Sequence, residues 1–235
     1  MQRLTLFDLD DTLLDGDCSE QWNWKMIDLG WIDNSEQFLA ATQNMQEAYH
    51  AGKLKLETYL ETTLEPLKGR YVDDVAACAT DFVARHVMPR MFAQARETIE
   101  AHRVEGDTLV IISASSKHLV GPIAAALGVP HVIAVEPTVL EGRYTGATTG
   151  VLSYRSGKVT RFQQWKEQQG LGMLYTTFYS DSRNDVPLLN AVNKPVAVNP
   201  DPVLAEIAEK EGWQRLDWRE NADQKQALYA SSIKS

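Results

Sequence analysis

The chain has 235 residues, 44% of them hydrophobic, and a net charge of −9. That length can bury a substantial core, the charge argues against nonspecific binding to nucleic acid or an anionic membrane, and no apolar run is long enough to span a bilayer. Two cysteines, Cys18 and Cys78, are too few for a disulfide framework, and the first strand starts almost at Met1, so free thiols, no signal peptide and a cytoplasmic location are expected.

Leu4, Leu6 and Phe7 predict a buried strand over 4–8. From Cys18 to Val87 the apolar spacing turns helical. Ser35 can cap a helix carrying Phe38, Leu39, Met45 and Tyr49. A second helix carries Leu56, Tyr59, Leu60, Leu64 and Leu67 and stops near Gly69. A third carries Val75, Ala79, Phe82, Val83 and Val87. This stretch predicts a helical bundle inserted after the first strand. Beyond it strands and helices alternate: helix 91–103, strand 108–112, helix 118–127 ended by Gly128, strand 131–135, a glycine-punctuated hairpin over 136–153, helix 157–168, strand 175–179, helix 184–191, strand 196–198 and helix 202–211. Such alternation predicts an α/β fold with a doubly wound, mostly parallel sheet. The polar stretch after Asn221 is expected to fray.

Four short segments place reactive side chains after a predicted strand or at a helix start. Asp8 and Asp10 follow the first strand. Two carboxylates so close repel, and a divalent cation or a shared proton relieves them. Read alone, Asp10-Asp11-Thr12 is also a turn and a helix cap. The second segment is Ile111-Ile112-Ser113-Ala114-Ser115, the third Ser156-Gly157-Lys158-Val159, and the fourth Ser180-Asp181-Ser182-Arg183-Asn184-Asp185. Strand ends of a parallel sheet share one edge, so these segments can form one site. Thr12 reads as a cap for the next helix or a donor to its loop. His50, His86, His102, His118 and His131 show no ligand spacing and read as surface or packing residues.

In order and in context, the four segments resemble the four motifs of the haloacid dehalogenase superfamily of phosphohydrolases. The helical insertion between the first two resembles the branch that holds phosphoserine phosphatase. The likeness extends to Gly121-Pro122-Ile123-Ala124, Leu127-Gly128, the Glu141-Gly142…Thr145-Gly146 hairpin and Asp185-Val186-Pro187-Leu188-Leu189. It implies a Rossmann-like core over 1–16 and 88–235 and a helical cap over 17–87. It also implies Mg²⁺-dependent hydrolysis of a small phosphorylated metabolite. Asp8 matches the nucleophile, and Asp10 the acid that protonates the leaving alcohol and then activates water. Asp8, the Asp10 carbonyl, Asp181 and Asp185 match the metal site. Ser113, Ala114, Lys158 and Asn184 match the groups that hold the phosphoryl oxygens.

The chain departs from the phosphoserine phosphatase pattern in the fourth motif, where Ser180, Ser182 and Arg183 replace small residues. In the second motif Ala114-Ser115 stand where that pattern has two glycines. The chemistry is expected to survive and the substrate to differ. Asp17 matches a position that contacts a substrate amino group, or it caps the first insert helix. Trp22 could wall a ring-bearing substrate, or pack the insert. A sub-branch of similar phosphatases acts on histidinol phosphate, so the resemblance implies L-histidinol phosphate, with phosphoserine or another amino-alcohol phosphate as the alternative. A phospho-accepting receiver domain shares the sheet and the acids. It differs in having no use for a base two residues from its phosphorylated aspartate.

Overall fold

The computed structural model describes residues 2–50 and 53–219, with the side chain of His50 left out. The expected fraying after Asn221 lies outside the described residues. Seven strands form one sheet in the order β4-β3-β2-β1-β5-β6-β7. They are β1 (Gln2–Phe7), β2 (Thr108–Ser116), β3 (His131–Leu140), β4 (Arg143–Thr149), β5 (Leu174–Ser180), β6 (Lys194–Val198) and β7 (Gln214–Leu216). All neighbours are parallel except β3 and β4, which make the predicted hairpin. The three-residue β7 has no counterpart in the sequence reading.

β1 is central, paired with β2 on one side and β5 on the other. The chain reverses its winding direction there, and an open sheet leaves a crevice at such a point, beyond the carboxyl ends of its strands. Residues alternate across β1: Leu4 and Leu6 face a core built with Phe162, Phe178, Leu188 and Leu204, while Phe7 faces a second core. The first core is covered by α7 (Ser156–Gln168), α8 (Val186–Leu189) and α9 (Pro202–Glu211), the second by α5 (Ala93–Val104) and α6 (Lys117–Ala126).

The insertion between β1 and β2 holds α1 (Cys18–Asp28), α2 (Ser35–His50), α3 (Leu56–Leu64) and α4 (Val72–Phe82), the last extended by a wide turn over Val83–Val87. Their apolar faces close around Trp22, Met26, Leu60, Val75 and Phe82 and join the second core. The insertion is also stitched to the β3–β4 hairpin. Gly69 and Val72 donate to the carbonyls of Tyr144 and Gly142, and Tyr144 donates to that of Arg70. No helix among the described residues is long and apolar enough to cross a membrane.

Candidate active site

A cavity of about 600 Å³ opens beyond the carboxyl ends of β1, β2 and β5. Asp8, Asp10, Ser113, Ala114, Asp181 and Asn184 line it from the sheet side; Asp17, Met45, Tyr49, Leu56 and Tyr59 line it from the insertion. Three of the four motifs thus line the cavity, and the remaining one joins them through the contact of Lys158 with Asp8.

Asp8 follows the last residue of β1, and its N–H donates to the Tyr179 carbonyl, which extends the strand pairing by one step. Its Oδ1 accepts from Lys158 Nζ at 2.9 Å, and the same ammonium reaches Asp185 Oδ2 at 2.7 Å. Asp185 also accepts from Ser180 Oγ at 2.7 Å. Burial pushes Asp8 up to about 6, with Lys158 opposing and Asp185 adding to the rise. Burial also works against the Lys158 ammonium, but Asp185 and Asp8 outweigh it and hold the lysine above its usual range.

Lys158 reaches this point because the chain turns sharply before α7. Arg155 stands at φ 50° and ψ −126°. A Cβ on the next-but-one residue, Gly157, would lie 2.0 Å from the Leu152 carbonyl oxygen. Only glycine permits that approach.

Asp181 follows β5. Thr12 Oγ1 accepts from its N–H and donates to its Oδ1, both at 2.9 Å. Thr12 thus clamps the fourth motif to the first, where the sequence suggested a local cap; the partner is remote in sequence and invisible to local patterns. Burial, then Asp8 and Asp11, raises Asp181 well above the ordinary carboxylate range.

Asp10 is held on both oxygens. Oδ1 accepts from Cys18 N–H and Oδ2 from Ser115 Oγ, each at 2.7 Å. Burial, then Asp17, pushes it up to about 8. Asp10 is thus raised further than Asp8, the order expected of an acid beside a nucleophile.

Ser113 Oγ accepts from Ser115 N–H at 3.0 Å, which leaves its own proton for another acceptor. Asn184 is held by Tyr154 and Arg155, which both donate to its Oδ1, while its Nδ2 donates to Ser182 Oγ.

Asp17 does cap α1: its Oδ1 accepts from Ser19 and Glu20 N–H. It also lines the cavity, so the two readings of this residue are compatible. Trp22 is placed differently from the substrate wall considered above. It is 2% exposed, packs edge-on against Trp31, Phe82 and His118, and is not among the residues lining the main cavity. Position 22 lies on the inner face of α1, where apolar packing claims a large ring.

Sequence reasoning passed over Tyr49 and Tyr59. Tyr49 turns its hydroxyl toward Ser182 and feels Asp8 and Asp181; Tyr59 faces Ser19 and feels Asp17 and Asp10. Burial raises both phenols well above their usual range. Their helical spacing marks them only as packing residues.

Comparison with known proteins agrees with this geometry. Residues 5–190 match the family model of haloacid dehalogenase-like hydrolases. A histidinol-phosphatase of Neisseria meningitidis serogroup C is 33% identical over 93% of this chain and 100% of its own length. A crystal structure of a protein of unknown function from Bordetella pertussis is 38% identical, with a TM-score of 0.86 over 93% of this chain and 99% of the other. A phosphoserine phosphatase caught as a phospho-aspartyl intermediate analogue shares the fold at 20% identity, with a TM-score of 0.66 over 93% and 94% of the two chains.

The fold and site define an enzyme that hydrolyses phosphoric monoesters. The chain belongs to the haloacid dehalogenase-like hydrolase family. The receiver-domain alternative falls with that match.

Proposed function

We propose that the chain hydrolyses a small amine-bearing phosphomonoester through a phosphoryl group carried on Asp8, and that L-histidinol phosphate is its substrate. In this reading residues 17–87 act as the cap and residues 1–16 and 88–235 as the core. Asp8 attacks phosphorus as the ester P–O bond breaks, and the leaving oxygen takes the proton of Asp10. Asp10 then removes a proton from water, which attacks phosphorus and releases Asp8. Lys158 and the Ser113 hydroxyl hold the phosphoryl oxygens, the first as a point charge and the second as a directional donor. Ala114 contributes backbone beside them, and Asn184 closes that side of the site.

The donor set suits Mg²⁺. Asp8, Asp181 and the Asp10 carbonyl offer oxygen only, as a hard cation requires, with Asp185 behind them steering Lys158. Burial first, and neighbouring carboxylates after it, hold Asp8 and Asp181 above their usual range, a strain that a bound cation would relieve. When bound, the ion offsets the repulsion between an anionic phosphate and an anionic nucleophile.

The substrate reading rests on one observation, the charge of the cavity wall. Away from the phosphate groups the wall carries Asp17 and Glu20 beside Met45, Gln46, Tyr49, Leu54, Leu56 and Tyr59. Arg183 is the cation among the described lining residues, and its guanidinium meets Asp201 at 3.4 Å. An ammonium group finds partners there. A substrate carboxylate would face acids, which disfavours phosphoserine. The N. meningitidis relative's name supports the same choice. Phosphate release from a panel of phosphorylated metabolites tests it. Histidinol phosphate should exceed phosphoserine by about tenfold or more in kcat/KM, the factor that about 1.4 kcal/mol of discrimination gives. Equal values, or a preference for phosphoserine, would reject the reading.

A further inference from the structure

We propose that Ser115 is a positioning residue for Asp10, and that Ser19 links it to the first turn of α1. The proposal rests on the reading of Asp10 as the acid that protonates the leaving oxygen.

The two oxygens of Asp10 are gripped from two different parts of the chain. Cys18 N–H, at the start of the insertion, donates to Oδ1; Ser115 Oγ, at the end of β2, donates to Oδ2. Ser19 Oγ in turn donates to Ser115 Oγ at 3.1 Å. Each hydroxyl has one proton. With Ser115 donating to Asp10, its oxygen is left to accept from Ser19, which gives the chain Ser19→Ser115→Asp10. Ser115 N–H meanwhile donates to Ser113 Oγ, which fixes the turn that presents the hydroxyl.

Two donors on opposite oxygens hold the plane of a carboxyl group. A general acid depends on that plane, because its proton must lie on the line to the departing oxygen as the ester bond breaks. Glycine, which the phosphoserine phosphatase pattern has at this position, offers no hydroxyl. The Ser115 hydroxyl is thus a feature of this chain's own second motif. The link also crosses from sheet to insertion, so the insertion's placement reaches Asp10 through Ser19 as well as through Cys18 N–H.

Leaving-group dependence separates this role from a merely structural one. A departing p-nitrophenolate is stable without a proton, whereas a departing alkoxide is not. The ratio kcat/KM ends at the step that forms the Asp8 phosphoryl group, so it reports leaving-group departure and excludes the later attack of water. We compare L-histidinol phosphate and phosphoserine, both alkyl esters, with p-nitrophenyl phosphate. The proteins are the full-length wild type, Ser115→Ala, Ser115→Thr, Ser19→Ala and Asp10→Asn.

Ser115→Ala should lower kcat/KM for whichever alkyl ester turns over by about tenfold more than for the aryl ester, a part of the roughly 10²–10⁴ that acid–base help supplies. Ser115→Thr, which keeps a hydroxyl, should recover most of that difference, and Ser19→Ala should show a smaller loss of the same sign. Equal losses on both ester types, or none, in Ser115→Ala and Ser19→Ala would overturn the proposal while Asp10→Asn still discriminates. Absence of discrimination in Asp10→Asn would remove the acid role itself, and with it this proposal. If Ser115→Ala does not fold, Ser19→Ala and Ser115→Thr carry the same comparison.

Discussion

Two groups of buried charge in this molecule are built in opposite ways. At the amino end of β2, Asp107 accepts from Thr5 Oγ1 at 2.8 Å, meets His102 Nδ1 at 2.7 Å and Arg3 Nε at 2.9 Å. His102 reaches on to the Tyr179 hydroxyl at 2.9 Å. Arg3 also pairs with Glu105. The ligand atoms of His102, Glu105 and Asp107 lie within 4.8 Å of one another, close enough for a metal, yet a guanidinium already occupies the space between the acids. At the carboxyl edge of the sheet, Lys158 pairs with Asp8 and Asp185, while Asp10 and Asp181 beside the same cavity are held by neutral donors. The closed group is partnered within the protein and serves packing. The open group carries excess negative charge into a cavity, and such excess calls for a cation and an anionic substrate together.

Substitutions in the open group should cost activity, and those in the closed group stability. Asp8→Asn should have the largest effect, a loss of at least about 10³-fold in kcat with an unchanged thermal midpoint, since nothing replaces a missing nucleophile. Steady-state hydrolysis and a melting curve check both halves. Activity within an order of magnitude of wild type would break the comparison.

Lys158→Met should lower kcat/KM by about 10²–10³-fold, the usual result of removing one donor to a transferring group. It differs from Asp8→Asn in also lowering stability, by about 3–5 kcal/mol, because Asp8 and Asp185 are left buried without their partner. Denaturant titration reads that difference. Unaltered stability would mean that the two carboxylates are relieved in another way.

Asp107→Leu should do the reverse. We expect a stability loss of about 2–3 kcal/mol from the stranded partners Thr5, His102 and Arg3, with kcat within about twofold of wild type. A large drop in kcat at normal stability would show that the closed group also serves catalysis.

The smallest effect concerns His118, which packs against Trp22 and Tyr144 at the seam between insertion and core. Burial pushes it down from 6.5 to about 3. A depressed value means that the stability gained from keeping this ring uncharged is complete above pH 6.5 and declines as pH falls toward 3. His118→Gln should therefore compare more favourably with wild type at pH 5 than at pH 7 in melting experiments. An identical acid limb for both proteins would contradict this.

The same contrast governs what the sequence could reveal. The open group was legible because its members follow strands whose apolar runs are plain, and because strand ends converge. The closed group was not: Thr5, His102 and Tyr179 are ordinary strand and helix residues until the fold brings them together. The β3–β4 hairpin was visible in its spaced glycines, while β7, three residues long, carries too little pattern. For Trp22 the sequence left two readings open, substrate wall or packing, because closeness in sequence to Asp17 does not say which face of α1 carries the ring; it lies among the buried residues of that helix. Tyr49 and Tyr59 stayed hidden for the converse reason, since helical periodicity assigns a residue to the inner face without saying that this face borders a cavity. Thr12 and Ser115 pair with partners 169 and 105 residues away, and only the coordinates join them.

The central claim is that phosphorus is transferred to Asp8. Acid-quenched turnover of Asp10→Asn, followed by mass spectrometry of the peptide that contains Asp8, tests it most directly. The account predicts a phosphoryl adduct on Asp8 that forms with substrate and is missing in the Asp8→Asn, Asp10→Asn double variant. Phosphate release with no adduct on that peptide, or an adduct on another residue, would contradict it.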